Sequence, residues 1–203
     1  MSKNKKAVIF LADGFEDMEA IAPIDILLRG GIEVLKVGVN SLVATSSHNI
    51  KVVAEITGEE FYNQYIEANN IEQISSIILP GGLGGANNLA SSQVVSCTLK
   101  AAQNQNIIIA AICAAPALVL SPLDILDNHA ATCYPGFETK FSASTNYINN
   151  ADVVVSANLV TAPGPGAAFA FGSTLLEILT SKENAETVCK AALINTNFIV
   201  HRA

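Results

Sequence analysis

The sequence contains no tryptophan, and only 6% of its 203 residues are aromatic and 14% are charged. Basic residues are especially scarce, with eleven Lys and Arg against eighteen Asp and Glu, which gives a net charge of −7. A protein that binds nucleic acid needs clustered positive charge to contact the phosphate backbone. We therefore expect no specific binding to nucleic acid.

A hydrophobic run long enough to cross a membrane is also absent, although half of the residues are apolar and the mean hydropathy is +0.39. The longest apolar stretch, IIIAAICAAPALVL at residues 107–120, is shorter than the ~18 to 20 residues of a membrane helix. The first apolar stretch, AVIFLA, ends at Asp13 and Gly14, which is too early for the ~7 to 15 apolar residues of a signal peptide. The sequence thus predicts a cytoplasmic protein without a membrane helix.

The four cysteines form none of the patterns that are typical of metal sites or redox pairs. Cys97, Cys113, Cys133 and Cys189 show no CxxC pair and no zinc-ligand spacing, and without a secretory signal we expect them to be free thiols. No GxxxxGK[ST] phosphate loop occurs, and Asn87 stands where a dinucleotide fingerprint has its third glycine. We expect no metal and no cofactor.

What the sequence does contain is a regular alternation of β-rich apolar runs and helical stretches, separated by glycine turns. The predicted strands include KAVIFLA, IEVLKVGV, ISSIIL and NIIIAAIC, and SLVATSSHNIKVVAEI is predicted to form a small hairpin. This alternation is typical of a mostly parallel sheet with helices on both faces. The expected fold class is α/β, doubly wound, in a single domain that covers residues 1–203.

The first predicted helix follows the first strand and covers residues 15–29. Its apolar residues recur at helical spacing and predict one buried stripe. The members of this stripe are Met18, Ile21, Ile24, Leu27 and Leu28.

Cys113 lies where the strand at residues 107–112 is predicted to meet a helix that begins at Ala114. Open α/β sheets bind their ligands at this edge, and small neighbouring residues favour the strained turn that carries the nucleophile in hydrolases. Unpaired amides at the helix N-terminus carry partial positive charge, so we predict that they lower the pKa of the Cys113 thiol. The alternative is an inert cysteine that fills the core, since buried free cysteines are common.

Two further glycine-rich turns follow predicted strands and can present backbone amides to a carbonyl oxygen. They are LPGGLGG and APGPGAAF, the second of which contains Pro165. Ordinary turn chemistry is the alternative for the second.

Glu19 is the acidic residue that we expect to point inward, because it lies beside the apolar stripe of the first helix. Burial raises the pKa of a carboxyl group, so Glu19 could hold a proton and donate a hydrogen bond to the sulfur. The alternative is that Glu16, Asp17 and Glu19 are all solvated carboxylates at a helix start. No histidine adjoins Cys113 in the sequence, which disfavours a Cys–His hydrolase.

The motifs FEDMEA, IDILLRGGI, ILPGGLGGA, AAICAAPALVL and GPGAAFAFG occur in this order along nearly the whole chain. Together they resemble the ThiJ/PfpI superfamily, in particular its parkinsonism-associated deglycase and YajL-like branch. The resemblance implies a flavodoxin-like fold with a nucleophile elbow, in which Cys113 is the reactive cysteine and Glu19 is a protonated glutamate. It also implies that Gly81 and Gly82 belong to the oxyanion hole.

The same resemblance implies a homodimer whose pocket lies near the subunit interface. Arg29 matches an arginine found at that interface, and His48 stands at a second position that is usually basic. Some relatives carry a histidine just before a proline near the pocket, whereas this chain has Tyr134 there. Peptidases of the superfamily have a histidine directly after the cysteine, whereas this chain has Ala114, which argues against a cysteine peptidase or amidase.

The resemblance implies a glyoxalase or deglycase that acts on α-oxoaldehydes such as methylglyoxal, or on their early adducts, under oxidative and carbonyl stress. Cys113 would add to the aldehyde, the amides of Gly82 and Ala114 would hold the oxyanion, and Glu19 would transfer the proton. The alternative is a redox sensor or chaperone without turnover, in which Cys113 is oxidised to a sulfinate that Glu19 stabilises.

Overall fold

The computed structural model describes residues 5–203, and its main sheet has eight strands. In spatial order these are β12 (Val200–Arg202), β10 (Val153–Ser156), β11 (Leu159–Ala162), β7 (Ile108–Ile112), β6 (Ile74–Leu79), β1 (Lys6–Leu11), β2 (Val34–Gly38) and β5 (Ile56–Thr57). All neighbouring pairs are parallel except β10 with β11. Two small sheets accompany it: β3 (Val43–Thr45) pairs antiparallel with β4 (Lys51–Val53), and β8 (Ala130–Ala131) pairs parallel with β9 (Asn146–Tyr147).

Helices cover both faces of the main sheet. They are α1 (Asp17–Arg29), α2 (Gly58–Phe61), α3 (Leu83–Ala90), α4 (Gln93–Asn104), α5 (Ala168–Leu179) and α6 (Lys182–Ala191). Residues of α1, α5 and α6 share one hydrophobic core, whereas Phe61 of α2 and Leu99 of α4 belong to a second core. The prediction of a doubly wound α/β fold of the flavodoxin-like class is confirmed.

The central strands are apolar along their whole length because both of their faces are buried. Ile9 of β1, Ile78 of β6 and Ile109 of β7 are all 0% exposed. The chain first moves outward from β1 to β2 and β5, then returns to place β6 and β7 on the other side of β1. Such a reversal opens a crevice at the carboxyl ends of the strands, where doubly wound folds bind their ligands.

The exposed face of α1 corrects the predicted apolar stripe. Ile24 and Leu27 are buried as expected, but Met18, Ile21 and Leu28 are 51%, 44% and 51% exposed. The buried face of α1 instead contains Ala20, Ala22, Pro23 and Ile26. Three large apolar side chains therefore lie on the surface of the single chain.

The hairpin of β3 and β4 is present as predicted and packs against the turn between β1 and α1. The Gly14 amide donates to the Thr45 carbonyl at 2.7 Å, and the Ser47 amide donates to the Phe15 carbonyl at 2.8 Å. No helix within residues 5–203 is both long and apolar enough to cross a membrane.

Candidate functional site

Cys113 forms a strained turn directly after β7. Its φ angle is +65°, in the left-handed region that residues with a side chain rarely occupy. The Cys113 amide donates to the carbonyl of Ala162 at 2.9 Å, which holds the turn against β11. The following helix is short and irregular, with a π-helical segment (Pro116–Leu120) and a 3₁₀ segment (Ser121–Leu123). The strained strand-to-helix turn is the geometry of a nucleophile elbow.

The loop after β6 approaches the Cys113 turn more closely than any residue with a side chain could. A Cβ atom on Gly81 would lie 2.6 Å from the Cys113 Cβ and 2.7 Å from Glu19 Oε2. Gly82 has a φ of +78°, and a Cβ there would lie 2.3 Å from the Gly14 carbonyl oxygen. The glycines of LPGGLGG are therefore needed to bring this loop against the cysteine and the first turn.

Glu19 points into the protein from the first turn of α1 and is 0% exposed. Its Oε2 accepts a hydrogen bond from the Gly81 amide at 2.8 Å, whereas its Oε1 is buried without a hydrogen-bond partner. Glu16 caps the helix by accepting a bond from the Glu19 amide at 2.9 Å. Burial, reinforced by the nearby charge of Glu16, raises the pKa of Glu19 from 4.5 to about 7.

The electrostatics of Cys113 correct the prediction of a lowered thiol pKa. Cys113 is only 8% exposed, and burial, followed by the charge of Glu19 and a hydrogen bond with it, raises the pKa of the thiol to about 12. Backbone amides of Gly82 and Ala114 act in the opposite direction, because they donate to the sulfur. They are outweighed by burial and by Glu19.

Glu19 and Cys113 are consequently best understood as a pair rather than as two independent acids. The first proton leaves the pair near neutral pH and the second only in strong alkali. Between these limits the pair holds one proton and one negative charge. The Glu19 carboxyl releases the first proton, and the Cys113 thiol keeps the second in its hydrogen bond with Glu19, while the amides of Gly82 and Ala114 reduce the cost of moving the charge to sulfur.

Gly81 has a different role from the one expected. Its amide is already used by Glu19 Oε2, and its carbonyl accepts a bond from the Glu16 amide at 3.1 Å. This amide therefore orients the carboxyl group and is not free to hold a substrate oxygen. The amides of Gly82 and Ala114 are the two that face the sulfur.

Pro165 lies in the turn after β11, and its place in the pocket stays a prediction. It begins a 3₁₀ segment (Pro165–Ala167) three residues after Ala162, the residue that binds the Cys113 amide. Pro165 is half-buried and Gly164 before it is buried. The turn is connected to Cys113 through the Ala162 carbonyl at the end of β11.

Within the single chain, Arg29 lies away from Cys113. It stands ten residues after Glu19 in α1, which is about 15 Å along a helix axis. Its guanidinium pairs with Asp25 at 2.7 Å on the surface. A place for Arg29 at a subunit interface stays a prediction.

His48 lies closer to the site, at the N-terminal end of α1. Its Nδ1 contacts Asp17 Oδ2 at 2.5 Å, and this bond raises the pKa of His48. Glu16, Asp17 and His48 present ligand-type atoms within 4.8 Å of one another. The ion pair with Asp17 accounts for the position of His48.

The other two histidines lie away from Cys113. His129 Nδ1 is 3.2 Å from Ser156 Oγ, and His201 belongs to β12, which is three strands from β7. At about 4.8 Å between strands, this places His201 more than ~10 Å away. The geometry offers Cys113 a carboxyl partner and no imidazole.

Two contributors to the site carried too weak a signal in the sequence. Glu16 was indistinguishable from a solvated carboxylate, although an acidic residue three positions before Glu19 is compatible with a helix cap. Gly164 was hidden in an ordinary-looking turn, and its contact with Tyr134, where a Cβ would lie 3.3 Å from the ring, depends on the tertiary fold.

The site combines a strained cysteine after a central strand, a buried glutamate and a glycine loop. The chain also matches a known protein family. The model of the DJ-1/PfpI family matches residues 5–178. The chain belongs to the DJ-1/PfpI family. Protein dj-1beta of Drosophila melanogaster is 32% identical over 195 residues, which cover 96% of this chain and 100% of the fly protein.

Two other similar proteins bear on function. The glutathione-independent glyoxalase DJR-1.2 of Caenorhabditis elegans is 28% identical over 191 residues, covering 94% of this chain and 97% of the worm protein. The solved structure of oxidized Toxoplasma gondii DJ-1 superposes with a TM-score of 0.85 at 31% identity, covering 94% of this chain and 98% of that one. These relatives support an activity related to glyoxalases at the level of the family.

Proposed function

We propose that this protein is a cysteine-dependent glyoxalase or deglycase that acts on α-oxoaldehydes such as methylglyoxal, free or as early adducts. The observation that carries the proposal is the buried pair of Cys113 and Glu19, in which a carboxyl group with a pKa of about 7 is hydrogen-bonded to the thiol and two amides face the sulfur. A thiolate that attacks an aldehyde needs a proton donor and an oxyanion site, and this pair with its two amides supplies both. No cofactor is required.

The reaction begins when the Cys113 thiol gives its proton to the Glu19 carboxylate, which leaves the charge on sulfur and the proton on Glu19. The sulfur attacks the aldehyde carbon, the carbonyl π electrons move to oxygen, and the amides of Gly82 and Ala114 hold the resulting oxyanion. Glu19 gives its proton to that oxygen, which completes a hemithioacetal and leaves a carboxylate.

The next steps move hydrogen within the substrate and need no external oxidant. The Glu19 carboxylate removes the proton from the former aldehyde carbon and returns it to the neighbouring ketone carbon, while the ketone oxygen gains a proton and the hemithioacetal oxygen loses one. The product is a thioester of the 2-hydroxy acid on Cys113. Water then attacks the thioester, releases lactate in the case of methylglyoxal, and restores the thiol.

A direct test measures lactate formed from methylglyoxal by the wild type, Cys113→Ser and Glu19→Gln. We expect turnover only in the wild type, because the first variant lacks the nucleophile and the second lacks a group that can give and take a proton. Cys97→Ser is the matched control and should keep the wild-type rate, since Cys97 lies in α4 and has no role in the mechanism. Equal, negligible rates in all four proteins would refute the proposed activity.

A second candidate function is oxidation sensing, favoured by the oxidized Toxoplasma gondii relative. Hydrogen peroxide would oxidise the Cys113 thiolate to sulfenate and a second peroxide would give sulfinate, each releasing water, with Glu19 donating a hydrogen bond to the product. Mass spectrometry after peroxide treatment tests this role. We expect the proportion of the two-oxygen adduct on Cys113 to change in Glu19→Ala, and an unchanged proportion counts against the pairing.

We also propose that the protein is a homodimer through the exposed face of α1. Met18 and Ile21 line a groove with Phe169, which is 48% exposed. An apolar surface of this kind is unusual on a monomer and typical of an interface.

The four cysteines are all free, which supports a reducing compartment such as the cytoplasm.

A further inference from the structure

Glu16 is hydrogen-bonded to two of the segments that surround Cys113. Its Oε2 accepts a bond from the Glu19 amide at 2.9 Å, and its own amide donates to the Gly81 carbonyl at 3.1 Å. The Gly81 amide donates in turn to Glu19 Oε2 at 2.8 Å. Together these bonds close a ring that runs from Glu16 to Glu19, from Glu19 to Gly81 and back to Glu16.

The same ring holds the loop that presents the Gly82 amide to the sulfur. A Cβ atom on Gly82 would lie 2.7 Å from the Glu16 nitrogen, so this loop packs directly on the Glu16 backbone. The Gly82 amide is one of the two that donate to the Cys113 sulfur. A displacement of Glu16 would therefore move this donor together with the Glu19 carboxyl group.

Helix stability alone does not explain a glutamate at position 16. Glu16 is the N-cap of α1, with φ of −88° and ψ of 133°, which is the extended backbone of a cap residue. The side chains that serve best as N-caps are those of Ser, Thr, Asp and Asn, and glutamate is not among them. The ring of hydrogen bonds gives this glutamate a role at the site in addition to the cap.

We propose that Glu16 is a positioning residue, which holds the Glu19 carboxyl group and the Gly82 amide in place around Cys113 through this ring of hydrogen bonds. The inference rests on the proposed function, because it concerns the proton transfer between the sulfur and Glu19. The charge of Glu16 has a second effect, since it reinforces the raised pKa of Glu19. Substitution separates the two effects, because glutamine keeps the acceptor oxygen and removes the charge.

The test measures the rate of Cys113 alkylation by iodoacetamide against pH in Glu16→Gln and Glu16→Ala. In Glu16→Gln we expect the wild-type plateau rate and a step at lower pH, because the acceptor remains and the repulsion of the Glu19 carboxylate is gone. In Glu16→Ala we expect the plateau rate to fall about 10-fold, because a reacting group that is misplaced loses much of its effect. The matched control is Ser181→Ala, which removes the cap of α6, where Ser181 Oγ accepts from the Asn184 amide at 3.2 Å. It should keep both the step and the plateau of the wild type.

Three results would overturn the proposal. A wild-type plateau in Glu16→Ala would show that the cap positions nothing, an equal fall in Ser181→Ala would assign the effect to general helix stability, and an equal fall in Glu16→Gln would assign it to charge alone. If Glu16→Ala does not fold, Glu16→Gly takes its place, because glycine is tolerated at an N-cap but offers no acceptor. A failure of the proposed function is seen separately, as absence of lactate from the wild type, since alkylation needs no turnover.

Discussion

Replacing Glu19 by glutamine should make the protein more stable at neutral pH, and the gain should depend on pH. Burial raises the pKa of Glu19 from 4.5 to about 7. The folded state thus keeps a proton that the unfolded chain releases. The stabilisation from this proton is complete below pH 4.5 and is lost as the pH rises through 7.

The shift corresponds to at most about 3 kcal/mol between these limits. The side-chain amide of the Glu19→Gln variant has no proton to release, so this variant should gain that much relative to the wild type between about pH 4.5 and 7.5. Urea unfolding followed by circular dichroism at several pH values measures the difference. Glu59→Gln, at an exposed position, is the matched control. A difference between Glu19→Gln and wild type that stays constant with pH would refute the reasoning.

Two further changes test the geometry of the site and of the surface. Gly81→Ala should destabilise the fold by about 1 to 3 kcal/mol in urea unfolding and slow alkylation of Cys113, because the new Cβ would lie 2.6 Å from the Cys113 Cβ. The control is Gly166→Ala, where a Cβ meets nothing within 4 Å. Equal behaviour of the two variants would contradict the close packing at Gly81. Ile21→Asp should give a monomer in sedimentation velocity. The control is Ile199→Asp, at a residue that is 62% exposed in the segment before β12, and it should leave the dimer intact. A dimer in both variants would show that α1 is not part of the interface.

The strand-to-helix turn at Cys113 was predictable because its signals are local. An uninterrupted apolar run ends at a single reactive side chain, and small residues follow it. The inward direction of Glu19 was also predictable, although the supporting reason was wrong. Met18 beside it faces solvent, so the two neighbours point in opposite directions as helical geometry allows.

The pKa of Cys113 was not predictable because it depends on distances that the sequence does not contain. The expected helix dipole is present only as a short irregular helix, whereas burial and the charge of Glu19 dominate. The roles of Gly81 and Gly82 were inseparable for the same reason, because only the fold decides which amide binds Glu19 and which faces the sulfur. Hydrophobic periodicity likewise cannot tell a buried stripe from an exposed face such as Ile21.

The rate of Cys113 alkylation by iodoacetamide as a function of pH tests the shared proton most directly, with peptide mapping to isolate this cysteine. We predict a step near pH 7 in the wild type, because Glu19 loses its proton there and its carboxylate can then take the proton of the thiol as the sulfur reacts. In Glu19→Gln the step should move to higher pH, because only the thiol can then release a proton. A wild type whose rate rises only above about pH 9 would show that the thiol ionises alone, and would contradict the account.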